Sequence, residues 1–150
     1  MSDLNMTIDA SHFLKGLEHL GDQLPDITGE AVMAGVHVAE QWICIAMAEA
    51  KSGKVYKVNH GRQEHRASAP GEAPAMETGN LVNSIMGQLL KATKETAVAM
   101  LAVFAEYGIH LEFGTKFMEA RPYLRPSFDL NRKAMIEAVA HVFKGWKPKL

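Results

Sequence analysis

The chain has a single cysteine and little that marks a secreted or membrane-spanning protein. Cys44 stands alone, so no internal disulfide can form, and its neighbours Ile43, Ile45 and Ala46 predict a buried thiol. The longest strongly apolar run, residues 42–48, is far too short to cross a bilayer. The first ten residues lack the basic start and apolar stretch of a secretory signal. These absences predict synthesis and assembly in a cytoplasm, with no membrane partner.

Motifs for catalysis and for metal binding are missing as well. His110-Leu-Glu112 has the His-x-Glu form of zinc deaminases, but those enzymes need a Pro-Cys-x-x-Cys partner, which a chain with one cysteine cannot supply. His60 and His65 are five residues apart in a glycine-containing stretch, a poor spacing for two ligands of one metal. There is neither a Gly-x-Ser-x-Gly elbow nor a phosphate-binding glycine loop. The sequence therefore predicts no enzyme, no metal and no cofactor.

Charge is nearly balanced overall but unevenly distributed. The 150 residues carry a formal net charge of −1 and fit one domain, 1–150. Residues 1–50 hold eight acidic residues and one lysine, a balance of −7, whereas residues 51–150 hold fifteen Lys or Arg and nine acids, a balance of +6. This asymmetry fits two solvated faces, or head-to-tail complementarity between copies in a ring.

Apolar spacing predicts an α+β fold that begins with a strand and two helices. Alternation over residues 4–8 predicts a short strand, followed by a helix that Gly21 ends. After Pro25, residues 26–51 predict one long helix with two neighbouring apolar rows. Two rows indicate a helix that is covered on more than one side, by its own sheet or by another subunit.

The second half of the chain predicts a small antiparallel sheet and a C-terminal helix. Residues 81–104 suit two strands joined by a polar turn at 91–96, with a helix over 80–90 as the alternative. A short helix around 106–113 should end at Gly114, and Pro126 suits the first turn of the last helix. The sheet should pack against the long helix and the C-terminal helix, and the tail 144–150 is basic.

Residues 52–79 predict a long loop, mobile in the free subunit and ordered on assembly. The stretch is polar and rich in glycine, and loops of this length are usually functional or mobile. Its first half is basic, which leaves open a nucleic-acid-binding module that uses residues 51–66. The basic residues are Lys51, Lys54, Lys57, Arg62 and Arg66.

Several short strings between residues 66 and 129 resemble a known family. They read RASAPGEAP at 66–74, TGNLVNSI at 78–85, EFGT at 112–115 and RPYLRP at 121–126, with Tyr107 before the third. In this order and spacing they resemble the tail-completion proteins of long-tailed bacteriophages, small head–tail joining subunits also described as minor tail or neck proteins. Where that family usually shows Tyr-Ala-x-Tyr, this chain has Tyr107-Gly108-Ile109-His110.

The resemblance implies an α+β subunit of a ring, commonly of six copies, in the virion. The ring would lie between the head connector and the tail tube or tail terminator, without catalysis or cofactor, after assembly in the host bacterial cytoplasm. A basic loop reaching a DNA-filled channel would add non-specific contact with DNA.

The strings also predict roles for particular residues. Gly79 and Gly114 allow a positive φ or a close backbone approach. Arg121 and Arg125, each before a proline, should hold the chain extended and pair with Glu112, the alternative being that both are simply exposed. The predicted structural and interaction residues are Gly79, Glu112, Phe113, Gly114, Thr115, Arg121, Pro122, Arg125 and Pro126, with Lys54, Lys57, Arg62 and Arg66 as loop contacts.

Overall fold

The protein has an α+β fold, which confirms the predicted class. The structure is a computed structural model, and it describes residues 11–58, 60–61 and 63–148. The strand predicted over residues 4–8 lies outside those ranges. The elements follow the order α1 (Ser11–Ala48), β1 (Val55–Val58), β2 (Gln63–Arg66), α2 (Asn80–Asn83), β3 (Ile85–Ala92), β4 (Ala97–Val103), α3 (Gly108–Phe113) and α4 (Leu124–Gly145).

α1 runs unbroken for 38 residues, so the prediction that Gly21 ends a first helix was wrong. Pro25 lies inside the helix, although an interior proline costs about 3 kcal/mol and crowds the carbonyl four residues earlier. Contacts with the β3–β4 turn hold this part of the helix in place. Thr28 donates its hydroxyl hydrogen to the Thr93 carbonyl at 3.1 Å, and Lys94 pairs with Asp22 at 3.2 Å.

α1 is the central element, packed against both the β3–β4 sheet and α4. A Cβ built on Gly29 would lie 3.0 Å from a Leu89 methyl of β3, and one built on Gly35 would lie 3.3 Å from a Val139 methyl of α4. These two close approaches lie on different sides of α1, which explains why the sequence shows two apolar rows. The buried apolar residues are Ile27, Ala31, Val36, Ala39, Ile43, Ala46, Met47, Leu81 and Tyr123.

The long helix also explains two differences from the sequence predictions. Cys44 is exposed rather than buried, because it points away from both packed sides of α1. By length and composition alone, residues Lys15–Ala48 could cross a membrane. The core helix of a soluble domain passes the same test, and α1 contributes seven of the nine apolar residues that are buried in the described part of the chain.

β3 and β4 form the predicted antiparallel hairpin, with α2 occupying only one turn before it. Ile85 pairs with Val103 and Ala92 with Ala97, and a bulge shifts the register between Leu89 and Lys91. The tight turn uses threonines in place of glycine or asparagine, since Thr93 and Thr96 bond to each other through backbone and side-chain atoms. The alternative helix over 80–90 is therefore limited to Asn80–Asn83.

The stretch predicted as a long loop contains a second antiparallel hairpin, formed by β1 and β2. His60 and Gly61 have φ values of 56° and 81°, the positive values that a tight hairpin turn requires. Residues 67–79 then return to the body of the domain. Whether residues 52–79 change their mobility on assembly stays a prediction.

Candidate functional site

The segment that runs from α3 through the first turn of α4 (residues 107–127) is called the joint here, and the Glu112 carboxylate lies at its centre. One carboxylate oxygen, Oε2, accepts the backbone N–H groups of Tyr123 and Leu124 at 2.8 and 2.9 Å, and Oε1 accepts that of Arg125 at 2.9 Å. Glu112 is buried, at 7% exposure. A side chain of α3 thus caps the first turn of α4, and its negative charge lies at the positive end of that helix.

The cap accounts for every backbone donor that the start of α4 leaves unpaired. A helix has four such N–H groups, here those of residues 123–126. Glu112 accepts three of them, and the fourth residue, Pro126, has no N–H. Tyr123 makes no side-chain cap of its own. Glu112 and Pro126 therefore act together to let α4 begin in a buried position.

Arg121 and Arg125 were expected to pair with Glu112, but each bonds to a different group. Arg121 donates its Nε–H to the Ser68 carbonyl at 3.1 Å, and Arg125 pairs with Asp129 at 3.6 Å on the exposed side of α4. Arg125 also lies within the helix, so the prediction of extended backbone there was wrong. Backbone N–H groups are fixed in place, whereas a guanidinium must lose side-chain entropy to reach the same carboxylate.

Tyr123 fills the interior of the joint with no exposed surface. Its hydroxyl donates to the Gly108 carbonyl at 3.3 Å. A Cβ on Gly108 would lie 2.7 Å from that hydroxyl oxygen, so an alanine at this position would force the Tyr123 side chain to shift. Burial first, and the nearby Glu112 charge second, raise the pKa of Tyr123 to about 12.

The two motif stretches of the sequence meet at the joint. Besides the Arg121–Ser68 bond, the Gly71 N–H donates to the Ala120 carbonyl at 2.9 Å. Ser68 is buried, at 4% exposure, and its carbonyl accepts its hydrogen bond from the Arg121 side chain, 53 residues later in the chain. The stretch 66–74 is therefore hydrogen-bonded to the joint, a contact that the separate strings in the sequence do not reveal.

Glu72 is a structural residue that the sequence analysis missed. Its carboxylate accepts the Ser52 hydroxyl at 2.6 Å, the Ala69 N–H at 2.8 Å and the Ser52 N–H at 3.2 Å. These bonds, led by that of the Ser52 hydroxyl, lower the pKa of Glu72 to about 2. The sequence Ala69-Pro70-Gly71-Glu72 could have indicated this role, because it predicts a turn in which the acid follows the Ala69 N–H by three residues and can accept its hydrogen bond.

A rigid turn after α3 presents two phenylalanines to solvent. Gly114 has φ 75°, and a Cβ there would lie 2.8 Å from the Met118 carbonyl oxygen. Thr115 closes the turn, donating its N–H to Met118 at 2.7 Å and accepting the Phe117 N–H at 3.2 Å. The exposed fractions are 77% for Phe113 and 92% for Phe117, so neither ring serves the core.

The remaining predicted residues lie in different parts of the domain. Gly79 has φ 78° and precedes α2, as expected of a glycine needed for its backbone conformation. Pro122 continues the half-buried chain between Arg121 and Tyr123. Lys54, Lys57 and Arg66 are exposed on the β1–β2 hairpin, far from the joint in sequence, and Arg62 lies outside the described residues.

An open apolar groove of about 550 Å³ lies beside the joint. Its apolar lining includes Ile109, Phe113, Leu124 and Phe128, and Arg125 lies at its edge. Within the described ranges, no group of three or more His, Cys, Asp or Glu side chains could hold a metal ion. Among the residues that the structure describes, Glu72 and Tyr123 have clearly shifted pKa values, and the hydrogen bonds and burial above explain both shifts.

Comparison with known proteins adds no relative. No protein-family model, no curated protein and no solved structure matches the chain. The geometry of the joint and of the surface therefore carries the functional argument.

Proposed function

We propose that this protein is a structural subunit of a bacteriophage particle, which forms a ring and joins the head connector to the tail tube. It acts in the virion after assembly in the host cytoplasm, and its residues bind other subunits rather than a substrate. The resemblance of the joint strings to tail-completion proteins supplies the family. The surface of the subunit supplies the physical support.

The observation that carries the proposal is an uncovered apolar face on the β3–β4 sheet. Gly87 faces α1, so its neighbours along the strand and their partners on β4 face away from it. The large apolar side chains on and next to this outward face, called the sheet patch here, are 39–65% exposed: Met86, Val98, Met100 and Phe104, the residue after β4. Gln88, opposite Met100, and Lys91, opposite Val98, lie on the same face. A two-stranded sheet with one bare apolar face is marginal in water and favours burial against another subunit.

The total accessible surface supports the same conclusion. It is 11155 Å², whereas a compact monomer of 16.5 kDa exposes about 7500 Å². If the fourteen residues outside the described ranges exposed as much surface as unfolded chain, about 2200 Å², roughly 1450 Å² of excess would remain. A ring subunit has two neighbours, and each standard interface buries about 800 Å² per partner. The excess is close to that requirement.

The joint gives the subunit a second feature suited to assembly. Because the Gly114–Thr115 turn is fixed by backbone bonds, Phe113 and Phe117 are held before any partner arrives. A preorganised aromatic contact loses less conformational entropy on binding than a mobile one. Exposed phenylalanines on a rigid turn are therefore effective contacts for a connector or tail protein.

A nucleic-acid-binding module is the second candidate, and the hairpin charges favour it less. Lys57 lies directly opposite Glu64 across the strands, so this lysine faces a carboxylate of its own hairpin. Fewer cations are thus left to release counterions from a phosphate backbone. Filter binding at low and moderate salt measures this activity.

The experiment for the proposed function uses a phage in which the gene for this protein is disrupted. Such a phage should yield separate heads and tails, and the purified protein should restore joined particles. Met100→Glu should fail to restore them, because it places a charge in the sheet patch. Met76→Glu is the matched control, since Met76 is equally exposed (41% against 39% for Met100) but lies outside the patch. Joined particles without the protein would contradict the proposal.

A further inference from the structure

The β1–β2 hairpin forms an arm (residues 54–66) that packs against little of its own domain. Its strands pair with each other, and no other helix or strand makes an extensive contact with them in the described part of the chain. Val55 and Tyr56 are 45% and 53% exposed. A two-stranded hairpin alone is at best marginally stable in water, so the arm gains most from a surface that covers it.

The base of the arm is fixed although its length is uncovered. Gly53 donates its N–H to the Ala67 carbonyl at 3.1 Å, and Ala67 donates to the Lys54 carbonyl at 2.9 Å. Glu72 holds the adjoining Ser52 through both its backbone and its hydroxyl. The arm therefore leaves the domain in a defined direction, as a docking element requires.

The exposed charge of the arm is basic. Lys54, Lys57 and Arg66 are exposed, and Glu64 is the one acidic residue of the arm sequence. The Arg66 guanidinium donates to the Gly53 carbonyl at 3.2 Å, which leaves its charge without a carboxylate. A fitting partner surface is acidic with some apolar area.

Such a surface exists on the N-terminal half of α1, and it is called the acidic row here. Four exposed acids follow one another at intervals of four residues: Glu18, Asp22, Asp26 and Glu30. Like charges at this spacing repel each other and destabilise a helix. Within the described ranges, the Asp22–Lys94 bridge is the one ion pair between residues 1–50 and the rest of the chain. The acidic row is therefore largely uncompensated.

The acidic row also offers shape and apolar contact. A shallow depression of about 270 Å³ is lined by Asp26, Glu30 and Trp146, and Leu17 beside the row is 48% exposed. An aromatic ring next to two carboxylates suits a lysine or arginine side chain. Lys144 and Lys147 flank Trp146 in sequence, and neither forms an ion pair with the row among the described residues.

An arm cannot serve the acidic row of its own chain. The arm follows the end of α1 at Ala48, which lies eighteen residues beyond Glu30, or about 27 Å farther along the helix. It also makes no extensive contact with α1. The basic and acidic surfaces of one chain therefore lie at different ends of the same helix, an arrangement that lets identical copies join head to tail.

We propose that the arm of one copy docks on the acidic row of the next copy. Lys54, Lys57 and Arg66 bring positive charge to the carboxylates of the row, and Tyr56 contacts the apolar surface near Leu17 and Trp146, while Val55 lies on the other face of the strand. The proposal rests on the proposed function, because it assigns one of the contacts that build the ring. Complementary charge here sets the register and speeds encounter between copies.

The test uses the full chain and two charge reversals. Lys54→Glu with Lys57→Glu makes the arm acidic, and Asp26→Lys with Glu30→Lys makes the row basic. Each variant alone should associate about 100-fold more weakly than wild type, since like charges then face each other. An equimolar mixture should assemble again, because each arm finds an oppositely charged row on the other variant. Sedimentation velocity measures association, and circular dichroism checks that each variant is folded.

The control is Arg132→Glu with Lys133→Glu, the same change in charge on the exposed side of α4. It should assemble like wild type. Undiminished assembly of the arm variant, or a mixture that stays dissociated, would overturn the docking while leaving the proposed function standing. A wild-type protein that never self-associates would overturn both. Loss of DNA binding with intact assembly would assign the arm to nucleic acid instead.

Discussion

Replacement of Glu112 by alanine tests the central structural feature of the joint. The change removes a buried acceptor for three backbone N–H groups at 2.8–2.9 Å. Losing a helix N-cap costs about 0.5–2 kcal/mol, and a buried unpaired N–H, here that of Tyr123, costs about 1–3 kcal/mol. We therefore expect Glu112→Ala to lower the free energy of unfolding by about 3 kcal/mol, a large share of a typical domain's stability.

Two further variants separate the cap from general effects. Glu112→Gln keeps one carbonyl oxygen for Tyr123 and Leu124 but loses the charge and the second acceptor, so about half of the destabilisation is expected. Glu119→Ala removes an exposed acid from the same joint and should stay within about 0.5 kcal/mol of wild type. Urea denaturation followed by circular dichroism gives all three values, compared at equal slope. If Glu112→Ala matched Glu119→Ala, the carboxylate would not be the cap of α4.

Three other changes follow from the same geometry. A double-mutant cycle between Glu112 and Arg121 should give additive free energies of unfolding, because the guanidinium bonds to Ser68; coupling above about 0.5 kcal/mol would show that the two side chains pair directly. Gly114→Ala should destabilise the fold by at least about 1 kcal/mol, since φ is 75° and a Cβ meets the Met118 carbonyl, and an unchanged midpoint in urea would refute the fixed turn. The pKa of Glu72 falls from 4.5 to about 2 on folding, so its stabilising bonds are complete above pH 4.5 and are lost as the pH falls toward 2. The protection factor of the Ser52 amide, which compares its exchange with that of an unstructured peptide at the same pH, should fall in that window in wild type and be low throughout in Glu72→Gln. Identical profiles would show that the carboxylate does not hold the arm base.

The sequence predicts those structural features that leave a pattern among neighbouring residues. The apolar rows of residues 26–51 predict the core helix because periodic burial on two sides leaves a strong pattern. The helix end at Gly114 follows from local chemistry, since a positive φ favours glycine. The β3–β4 hairpin follows from apolar residues on both sides of a polar turn. Each of these signals is local.

Two of the wrong predictions, the helix end at Gly21 and the partners of Glu112, depend on contacts between residues that are far apart in the sequence. Gly21 and Pro25 are helix-breaking signals, and only the β3–β4 turn, about 70 residues later, explains why α1 continues through them. Glu112 was expected to pair with Arg121 or Arg125, but its partners are backbone groups that a pattern of charges does not display. A count of unpaired N–H groups at the start of α4, which lacks its own side-chain cap, would have indicated them.

The arm was missed because its strands are short and exposed. β1 and β2 have four residues each and no buried side, so they lack the alternation that identifies a strand. His60-Gly61 was the available signal, since two consecutive positive φ values suit a tight hairpin turn. Cys44 was expected to be buried on the strength of its sequence neighbours, but adjacent helical residues point in different directions.

The mass of the assembled wild-type particle is the most direct test of the account. Native mass spectrometry of the purified full chain at low salt should show a closed ring of identical copies, six if the family resemblance holds. Raising the salt concentration should shift the population toward single subunits, because charge complementarity between copies is screened. A single-subunit mass under all conditions, with the sheet patch and arm left uncovered, would contradict the claim that this protein builds a ring.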